Sequence, residues 1–124
     1  MLIITKAKIN MSFLSKLFGA KPKVDFAQLI AEGAIIIDVR TPGEFKGGHI
    51  AKSTNIPLNT LPNKYGKLKK NATIITCCAS GMRSGSAKSM LEANGFQNVH
   101  NGGGWASLNR KIWIHNEFYQ DFHL

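Results

Sequence analysis

One segment of the chain, Cys78-Ala79-Ser80-Gly81-Met82-Arg83-Ser84, carries the residue types that thiol chemistry needs. A free cysteine thiol has a pKa of about 8.5 and reacts slowly at neutral pH, but a helix N-terminus and a nearby arginine lower that pKa. The small residues around Gly81 allow backbone N–H groups to turn inward toward an anion. Arg83 lies five residues after Cys78, close enough to close the loop. We therefore predict that Cys78 is a thiolate and that the six residues after it bind an anionic substrate.

The alternative for Cys78 is a buried core thiol, which is the common role of a cysteine at the end of an apolar strand. The small residues and the arginine of the loop favour the functional interpretation. Cys77 is the reverse case, because side chains alternate along a strand and Cys77 therefore points to the opposite face. For Cys77 we expect core packing rather than a role as a resolving thiol.

These two cysteines are the only ones in the chain, and they are neighbours. An adjacent pair closes no useful loop, so the sequence excludes a disulfide scaffold of the kind that small secreted domains use. Spaced cysteines and histidines that would supply zinc ligands are also missing from the sequence. We expect a cytoplasmic protein that has no metal and no organic cofactor and uses its cysteines as thiols.

The residues around the loop predict an α/β fold. Four short apolar runs rich in β-branched residues are typical of strands in a parallel sheet. They cover residues 34–39, 53–56, 72–77 and 96–100. Helix signals precede and separate these runs. They are Asp25 as an N-cap, a capping box at Thr41-Pro42-Gly43-Glu44, a lysine-rich surface helix within 61–70, and a helical pattern after Ser84 that ends at Gly95. Since strands and helices alternate, the sheet should be mostly parallel, with Cys78 at its carboxyl edge.

The length and composition indicate one globular domain. The chain has 124 residues, 44% of them hydrophobic, and 16 Lys or Arg against 7 Asp or Glu, a formal net charge of +9. This composition argues against disorder, and no apolar run is long enough for a membrane-spanning helix. We assign residues 24–124 to the domain and residues 1–23 to a basic extension, partly disordered or a short helix, with an amphipathic lipid anchor as the alternative. The tail over residues 112–124, which includes Trp113, should cover the edge of the domain.

The motifs, taken in order, resemble those of the single-domain rhodanese family of sulfurtransferases. The segments that carry the resemblance are Ile36-Ile37-Asp38-Val39-Arg40-Thr41-Pro42-Gly43-Glu44-Phe45, then Gly48-His49-Ile50 with Ala51-Lys52-Ser53-Thr54-Asn55-Ile56-Pro57, the loop Cys78-x-x-Gly81-x-Arg83-Ser84, and Gly102-Gly103-Gly104-Trp105. The resemblance implies a central, mostly parallel five-stranded sheet flanked by helices. It also implies that Cys78 takes the sulfane sulfur of a donor such as thiosulfate, holds it as a persulfide and passes it to a thiol or to cyanide.

By the same resemblance, the backbone N–H groups from Ala79 to Ser84 hold the sulfur and Arg83 holds the loop. The partners would be a small anionic sulfur donor and a thiol acceptor, and we expect a monomer. Many members carry Tyr before the catalytic cysteine and a basic residue after it, whereas this chain has Cys77 and Ala79. Without a charge at Ala79, recognition of a sulfonate falls on the N–H groups and Arg83, which predicts weak binding of thiosulfate.

Four residues of the segments before the cysteine loop are assigned structural roles. Asp38, at a strand end, should fix a neighbouring loop by hydrogen bonds, and Arg40 should pair with a carboxylate. Glu44 should cap its own helix. We interpret His49 as a loop histidine with its hydrogen bonds satisfied rather than as a general base.

Two other function classes fit the sequence less well. A cysteine-dependent phosphatase of the same fold usually has five residues between Cys and Arg, whereas four separate Cys78 from Arg83 here. A binding module that only presents the fold would not need the cysteine. Specific nucleic-acid binding has only the basic charge in its favour, since the lysines are not interleaved with aromatic residues.

Overall fold

The computed structural model describes the backbone of residues 23–123 and the side chains up to residue 114. Nearly all of the basic extension over residues 1–23 therefore lies outside the described residues. The same holds for the tail side chains Phe118, Tyr119 and Phe122. Within the described part of the chain, no helix is long and apolar enough to cross a membrane.

In the described part of the chain, one short helix precedes the first strand and another follows it. Helix α1 (Phe26–Ala31) starts at Asp25, whose carboxylate accepts the N–H of Gln28 at 3.0 Å as an N-cap. Strand β1 (Ile35–Asp38) follows, and helix α2 (Pro42–Lys46) then begins with the predicted capping box. Strand β2 (Thr54–Asn55) has only two residues.

The connection from β2 to the next strand differs from the sequence prediction. A 3₁₀-helix (Leu58–Lys67) takes the place of the surface helix expected within residues 61–70. Pro62 lies inside it. A proline lacks the N–H that the interior of an α-helix needs, whereas short 3₁₀ turns tolerate it.

Strand β3 (Thr73–Cys78) leads into helix α3 (Met82–Ala93). Strand β4 (Asn98–Gly104) is longer than the predicted run over residues 96–100 and includes all three glycines of the Gly102-Gly103-Gly104 segment. Helix α4 (Trp105–His123) follows without a loop. Glycine disfavours strands, so the sequence does not show this extension, but a Cβ at Gly102 would lie 2.8 Å from Leu108 and 2.9 Å from Ile75, where only glycine fits.

The four strands form one sheet in the order β2-β1-β3-β4, and every pair is parallel. The α/β class and the parallel sheet are therefore confirmed, but the expectation of five strands is wrong for residues 23–123. Those residues supply four strand-forming runs, and β4 passes directly into α4. Strand β2 is an edge that stops before Pro57, since proline cannot continue a sheet ladder.

The two faces of the sheet carry separate cores. One core packs against α3 and the 3₁₀-helix, and its buried residues include Ile37, Ile74, Cys78, Ala87 and Leu91. The other packs against α1 and α4, and its residues include Ile36, Ile75, Cys77 and Leu108, with Trp105 and Ile112 against them. This arrangement places successive residues of β3, Cys77 and Cys78 among them, in different cores.

The start of the tail only partly covers the domain. Ile112 packs against the core, as expected, but 61% of Trp113 is exposed. In α4 the inward face is formed by residues at helical spacing, Trp105, Leu108 and Ile112, and the next residue turns by about 100° toward solvent. The expectation that Trp113 covers the domain edge is therefore wrong.

Candidate active site

Cys78 is the last residue of β3, one residue later than the predicted strand end, and is 1% exposed. Its strand partner is Gly104, beyond a register shift in the β3–β4 ladder. Gly81 then turns the chain with φ of +107° and is the N-cap of α3. Such a left-handed turn suits glycine, because a side chain would clash with the backbone. The turn brings the N-terminus of α3 back over the end of the strand that carries the cysteine.

Cys78 Sγ lies against two hydrogen-bonding groups, one in the turn at Gly81 and one in the first turn of α3, which begins at Met82 and not after Ser84 as predicted. The N–H of Gly81 donates to it at 2.9 Å, and the hydroxyl of Ser84 lies 3.4 Å away. Burial raises the pKa of the Cys78 thiol. Hydrogen bonds from the Ser84 hydroxyl and from the backbone N–H groups of Ser84, Gly81 and Ser80 together lower it by more than burial raises it, so the net shift is downward. The loop thus favours the thiolate, as the sequence predicts.

Cys77 lies on the other face of β3 and is 0% exposed. Burial, followed by the neighbouring carboxylate of Asp38, raises the pKa of the Cys77 thiol to about 12. Both cysteines are free thiols. The expectation of core packing for Cys77 is confirmed, because its thiol is held neutral inside an apolar core.

Arg83 is bound to a partner that sequence reasoning did not assign. Its guanidinium donates to both carboxylate oxygens of Glu44, at 2.7 and 3.0 Å. Glu44 also caps α2 as predicted, since it accepts the N–H of Thr41 at 3.1 Å. The hydrogen bond from Arg83 and those from Thr41 lower the pKa of Glu44 to about 2. The ion pair joins α2 to the first turn of α3, and it neutralises Arg83, the one charged residue of the segment 79–84.

Asp38 and Arg40 form a second, buried ion pair beside the first. The Arg40 guanidinium contacts both oxygens of Asp38, at 2.8 to 3.1 Å, which confirms that Arg40 pairs with a carboxylate. Arg40 also donates to the carbonyls of Gly48 at 2.7 Å and of Glu44 at 3.3 Å, and lies 4.7 Å from the ring centroid of Trp105. The Asp38–Arg40 pair therefore holds the loop after β1 and, through Glu44, the helix that reaches Arg83.

The remaining predicted residues line the surface around the loop. Ala79 and Ser80 are exposed, and 83% of Met82 is exposed, so any substrate contact through Ala79 or Met82 would be at the mouth of the site. His49 has Nδ1 2.8 Å from the carbonyl of Phe45 and stacks on the Phe45 ring at 3.7 Å. His49 Nδ1 thus has a hydrogen-bond partner in the preceding helix α2, which agrees with the interpretation of His49 as a loop histidine with a local partner.

Sequence reasoning missed two residues next to the loop. Asn101 of β4 accepts the Ser84 hydroxyl at 2.7 Å, and Thr76 of β3 donates to the Ser84 carbonyl at 2.8 Å. Both lie opposite one another in the β3–β4 ladder. A polar residue close before the Gly102-Gly103-Gly104 segment, near the carboxyl edge of the sheet, is the one signal that points to Asn101. Among the side chains that the structure describes, those of residues 23–114, His, Cys, Asp and Glu do not gather in groups of three that would hold a metal ion.

Comparisons with known proteins agree with this arrangement. Residues 23–111 match the family model for the rhodanese-like domain. The chain is 38% identical over 80 residues to an uncharacterized protein, YqhL, of Bacillus subtilis, covering 64% of this chain and 64% of that protein, so it spans just under two thirds of that relative. It is 36% identical over 70 residues to the thiosulfate sulfurtransferase PspE of Escherichia coli, covering 55% of this chain and 67% of that one.

A solved structure, a rhodanese with anions from E. coli, superposes with a TM-score of 0.57 at 33% identity and covers 60% of this chain and 89% of that one. The family match over residues 23–111 includes the sheet and the loop described above. Because the family match extends over most of the chain, this chain belongs to the family of rhodanese-like domain proteins.

Proposed function

We propose that this chain is a sulfurtransferase that carries sulfane sulfur as a persulfide on Cys78. The observation that carries the proposal is the position of Cys78 Sγ, which is buried, accepts the Gly81 N–H at 2.9 Å and faces the Ser84 hydroxyl at 3.4 Å. Relatives named thiosulfate sulfurtransferase, 31–36% identical to this chain, support the same class of reaction. A reduced cytoplasmic environment, where thiols persist, goes with this proposal.

In the first half-reaction, the Cys78 thiolate attacks the sulfane sulfur of the donor. A bond forms between Sγ and that sulfur, the sulfur–sulfur bond of the donor breaks, and the leaving group departs with the electron pair; from thiosulfate it is sulfite. Against the effect of burial, the Ser84 hydroxyl and the N–H groups of Ser84, Gly81 and Ser80 lower the pKa of the Cys78 thiol and so favour the thiolate, which is the nucleophile.

In the second half-reaction, the acceptor attacks the outer sulfur of the persulfide. A thiolate acceptor forms a new sulfur–sulfur bond, and Cys78 Sγ leaves with the electron pair of the bond that breaks. Sγ is buried while Ala79 and Ser80 beside it are exposed, so the outer sulfur is the one that an acceptor reaches. The same N–H groups that stabilise the nucleophile stabilise this leaving group.

For the donor, we propose that a persulfide or polysulfide is better than thiosulfate. Ala79 adds no charge at the mouth of the site, and Glu44 neutralises Arg83 with contacts of 2.7 and 3.0 Å. A doubly charged sulfonate donor would therefore depend on the loop N–H groups alone. The E. coli rhodanese described with anions gives a precedent for anion binding in this fold, not a measure of its strength here.

Intact-mass spectrometry after polysulfide or thiosulfate treatment tests the proposal. We expect an adduct of one sulfur atom that is lost on treatment with a thiol or with cyanide. The adduct should vanish in Cys78→Ala and survive in the matched variant Cys77→Ala. An adduct on Cys77, or none with any sulfane donor, would contradict the proposal and favour a binding module.

A phosphatase assay separates the second alternative. Phosphatase chemistry needs a loop arginine that binds phosphate, but here the Arg83 guanidinium is engaged by Glu44. We expect no Cys78-dependent hydrolysis of an aryl phosphate. Robust hydrolysis that Cys78→Ala abolishes would replace the sulfurtransferase proposal.

A further inference from the structure

From the neighbouring strand, Asn101 contacts two residues of the segment that follows Cys78, Gly81 and Ser84. Its Oδ1 accepts the hydroxyl of Ser84 at 2.7 Å and the N–H of Gly103 at 2.9 Å. Its Nδ2 donates to the carbonyl of Gly81 at 3.2 Å. Since Ser84 Oγ lies 3.4 Å from Cys78 Sγ, Asn101 reaches the sulfur through the Ser84 hydroxyl.

We propose that Asn101 is a positioning residue that keeps the Ser84 hydroxyl on the sulfur of Cys78 during sulfur transfer. The inference rests on the function proposed above for the transfer step, but the contact between hydroxyl and sulfur exists without a substrate. Two separate features of the Asn101 side chain, its oxygen and its nitrogen, contribute to the effect.

The oxygen of Asn101 lets the hydroxyl serve both charge states of the cysteine. Ser84 has one hydroxyl proton and two acceptors within reach. While Cys78 is a thiol, its S–H donates to Ser84 Oγ, and Ser84 donates to Asn101. Once the thiol proton has gone to solvent, the Ser84 proton turns to Sγ, and Asn101 Oδ1 keeps the N–H of Gly103. No buried polar atom in this group loses its partner in either state.

The nitrogen of Asn101 removes a competing acceptor. A serine in a helix readily donates to the carbonyl three or four residues earlier, which for Ser84 includes that of Gly81. The Gly81 carbonyl already accepts the N–H of Gly85 at 3.0 Å and Nδ2 of Asn101 at 3.2 Å, which occupies both of its lone pairs. Without Asn101 that carbonyl would be open, and the hydroxyl would turn away from the sulfur.

A double-mutant cycle in a Cys77→Ala background tests the proposal with Asn101→Ala, Ser84→Ala and the double variant. Alkylation of Cys78 by iodoacetamide, followed by intact mass as a function of pH, reports the thiolate without any sulfur donor. This readout therefore succeeds or fails independently of the proposed function. The titratable groups around the site are the same in these three variants: the Arg83–Glu44 and Asp38–Arg40 pairs, and His100 on β4.

We expect each single variant to move the alkylation profile to higher pH and to slow sulfur transfer about tenfold, the effect of losing one hydrogen bond to a charged atom. The double variant should be no slower than Ser84→Ala alone, because Asn101 acts through Ser84. Two additive losses would overturn the proposal, as would an unchanged alkylation profile in Asn101→Ala.

Two further variants separate this effect from a loss of folding. Aspartate at position 101 has the same shape as asparagine but no N–H donor for the Gly81 carbonyl, and its negative charge keeps the Ser84 hydroxyl proton on itself. Asn101→Asp should therefore shift the alkylation profile to higher pH. The shift should be smaller when Ser84 is also replaced by alanine. An equal shift with and without Ser84 would overturn the proposal. The matched control is Asn94→Ala, which removes an asparagine that donates to the carbonyl of Met90 at 2.8 Å at the other end of α3, and it should leave the profile unchanged.

Discussion

Cys77 and Cys78 follow one another on β3 and are buried to the same extent, with 0% and 1% of each residue exposed. Cys77 faces the core under α1 and α4, whereas Cys78 faces the core under α3 and lies at the end of β3 beside Gly81 and Ser84. The pKa of Cys77 is raised to about 12, and that of Cys78 is lowered. One step along a strand therefore reverses the direction of the thiol's pKa shift.

Burial and hydrogen bonding act on the pKa of a buried thiol in opposite directions. Burial is the largest influence on both thiols, and in both it raises the pKa. Cys78 differs because the Ser84 hydroxyl and the N–H groups of the loop face its sulfur and outweigh burial. Hydrogen-bond donors that are already in place stabilise the thiolate in a buried site, where water does not solvate the charge. A buried cysteine is thus inert or reactive according to the donors around it.

The largest expected effect is a complete difference in alkylation between the two thiols. In Cys77→Ala, iodoacetamide should modify Cys78 at neutral pH, and the rate should level off below the pH at which an ordinary thiol titrates. In Cys78→Ala, Cys77 should stay unmodified at the same pH until denaturant unfolds the chain. Intact mass measures both, and equal rates in the two folded variants would remove the contrast.

The stability of the fold should also depend on pH with opposite signs at the two positions. The lowered pKa of Cys78 gives a stabilisation that is fully present above the ordinary thiol pKa and is lost as pH falls through the lowered value. The raised pKa of Cys77 gives one that is fully present below the ordinary value and is lost as pH rises toward about 12. Denaturant unfolding of each alanine variant beside the parent, as a function of pH, measures the two trends.

A smaller effect, up to about a hundredfold, should follow from displacing the loop. In Gly104→Ala the new Cβ would lie 2.8 Å from the carbonyl oxygen of Ala79, so the backbone next to Cys78 must move. The rates of Cys78 alkylation and of sulfur transfer should both fall, while Cys77 stays unreactive.

Gly66→Ala is the matched control for Gly104→Ala. A Cβ at Gly66 meets nothing within 4 Å, so the same substitution there should leave both rates unchanged. If Gly104→Ala retained the parent rates while its melting temperature fell, the position of the loop would not be what sets the reactivity of Cys78.

Much of this contrast is local and could be predicted from the sequence. The alternation along β3 places the two cysteines on opposite faces, and the small residues after Cys78 predict a turn, although α3 already begins at Met82, inside the segment predicted as the loop. The parts that could not be predicted depend on distant residues. Arg83 and Glu44 are 39 residues apart in the sequence, and Asn101 and Ser84 are 17 residues apart. The extension of β4 through Gly102 depends on close packing against β3 and α4, which residue preferences do not record.

Breaking the Glu44–Arg83 pair should raise the reaction rate of Cys78, by a smaller factor than the loss expected in Gly104→Ala. Glutamine is also competent in a capping box, so Glu44→Gln keeps the start of α2 and removes only the charge. Arg83 is then no longer neutralised, and its charge should lower the pKa of Cys78 further. Reaction with thiosulfate should quicken about twofold to fivefold, the scale of an exposed ion pair. Thr41→Ala, which removes a cap residue and keeps the pair, is the control, and equal gains in both variants would contradict this role of the charge.

The smallest expected effect lies away from both cysteines, at Lys52, where the backbone has φ of +68°. Relief of left-handed strain is worth about 1 to 2 kcal/mol, and the added freedom of glycine in the unfolded chain costs about 0.5 to 1 kcal/mol. Lys52→Gly should therefore stabilise the fold by about 0.5 to 1 kcal/mol in denaturant unfolding. Lys52→Ala removes the same charge but keeps a Cβ, so it should give no such gain. Alkylation of Cys77 and Cys78 should be the same in both variants, because the difference between the two thiols arises from the donors at the end of β3. A change in either thiol in Lys52→Gly would mean that the loop before β2 also sets their reactivity.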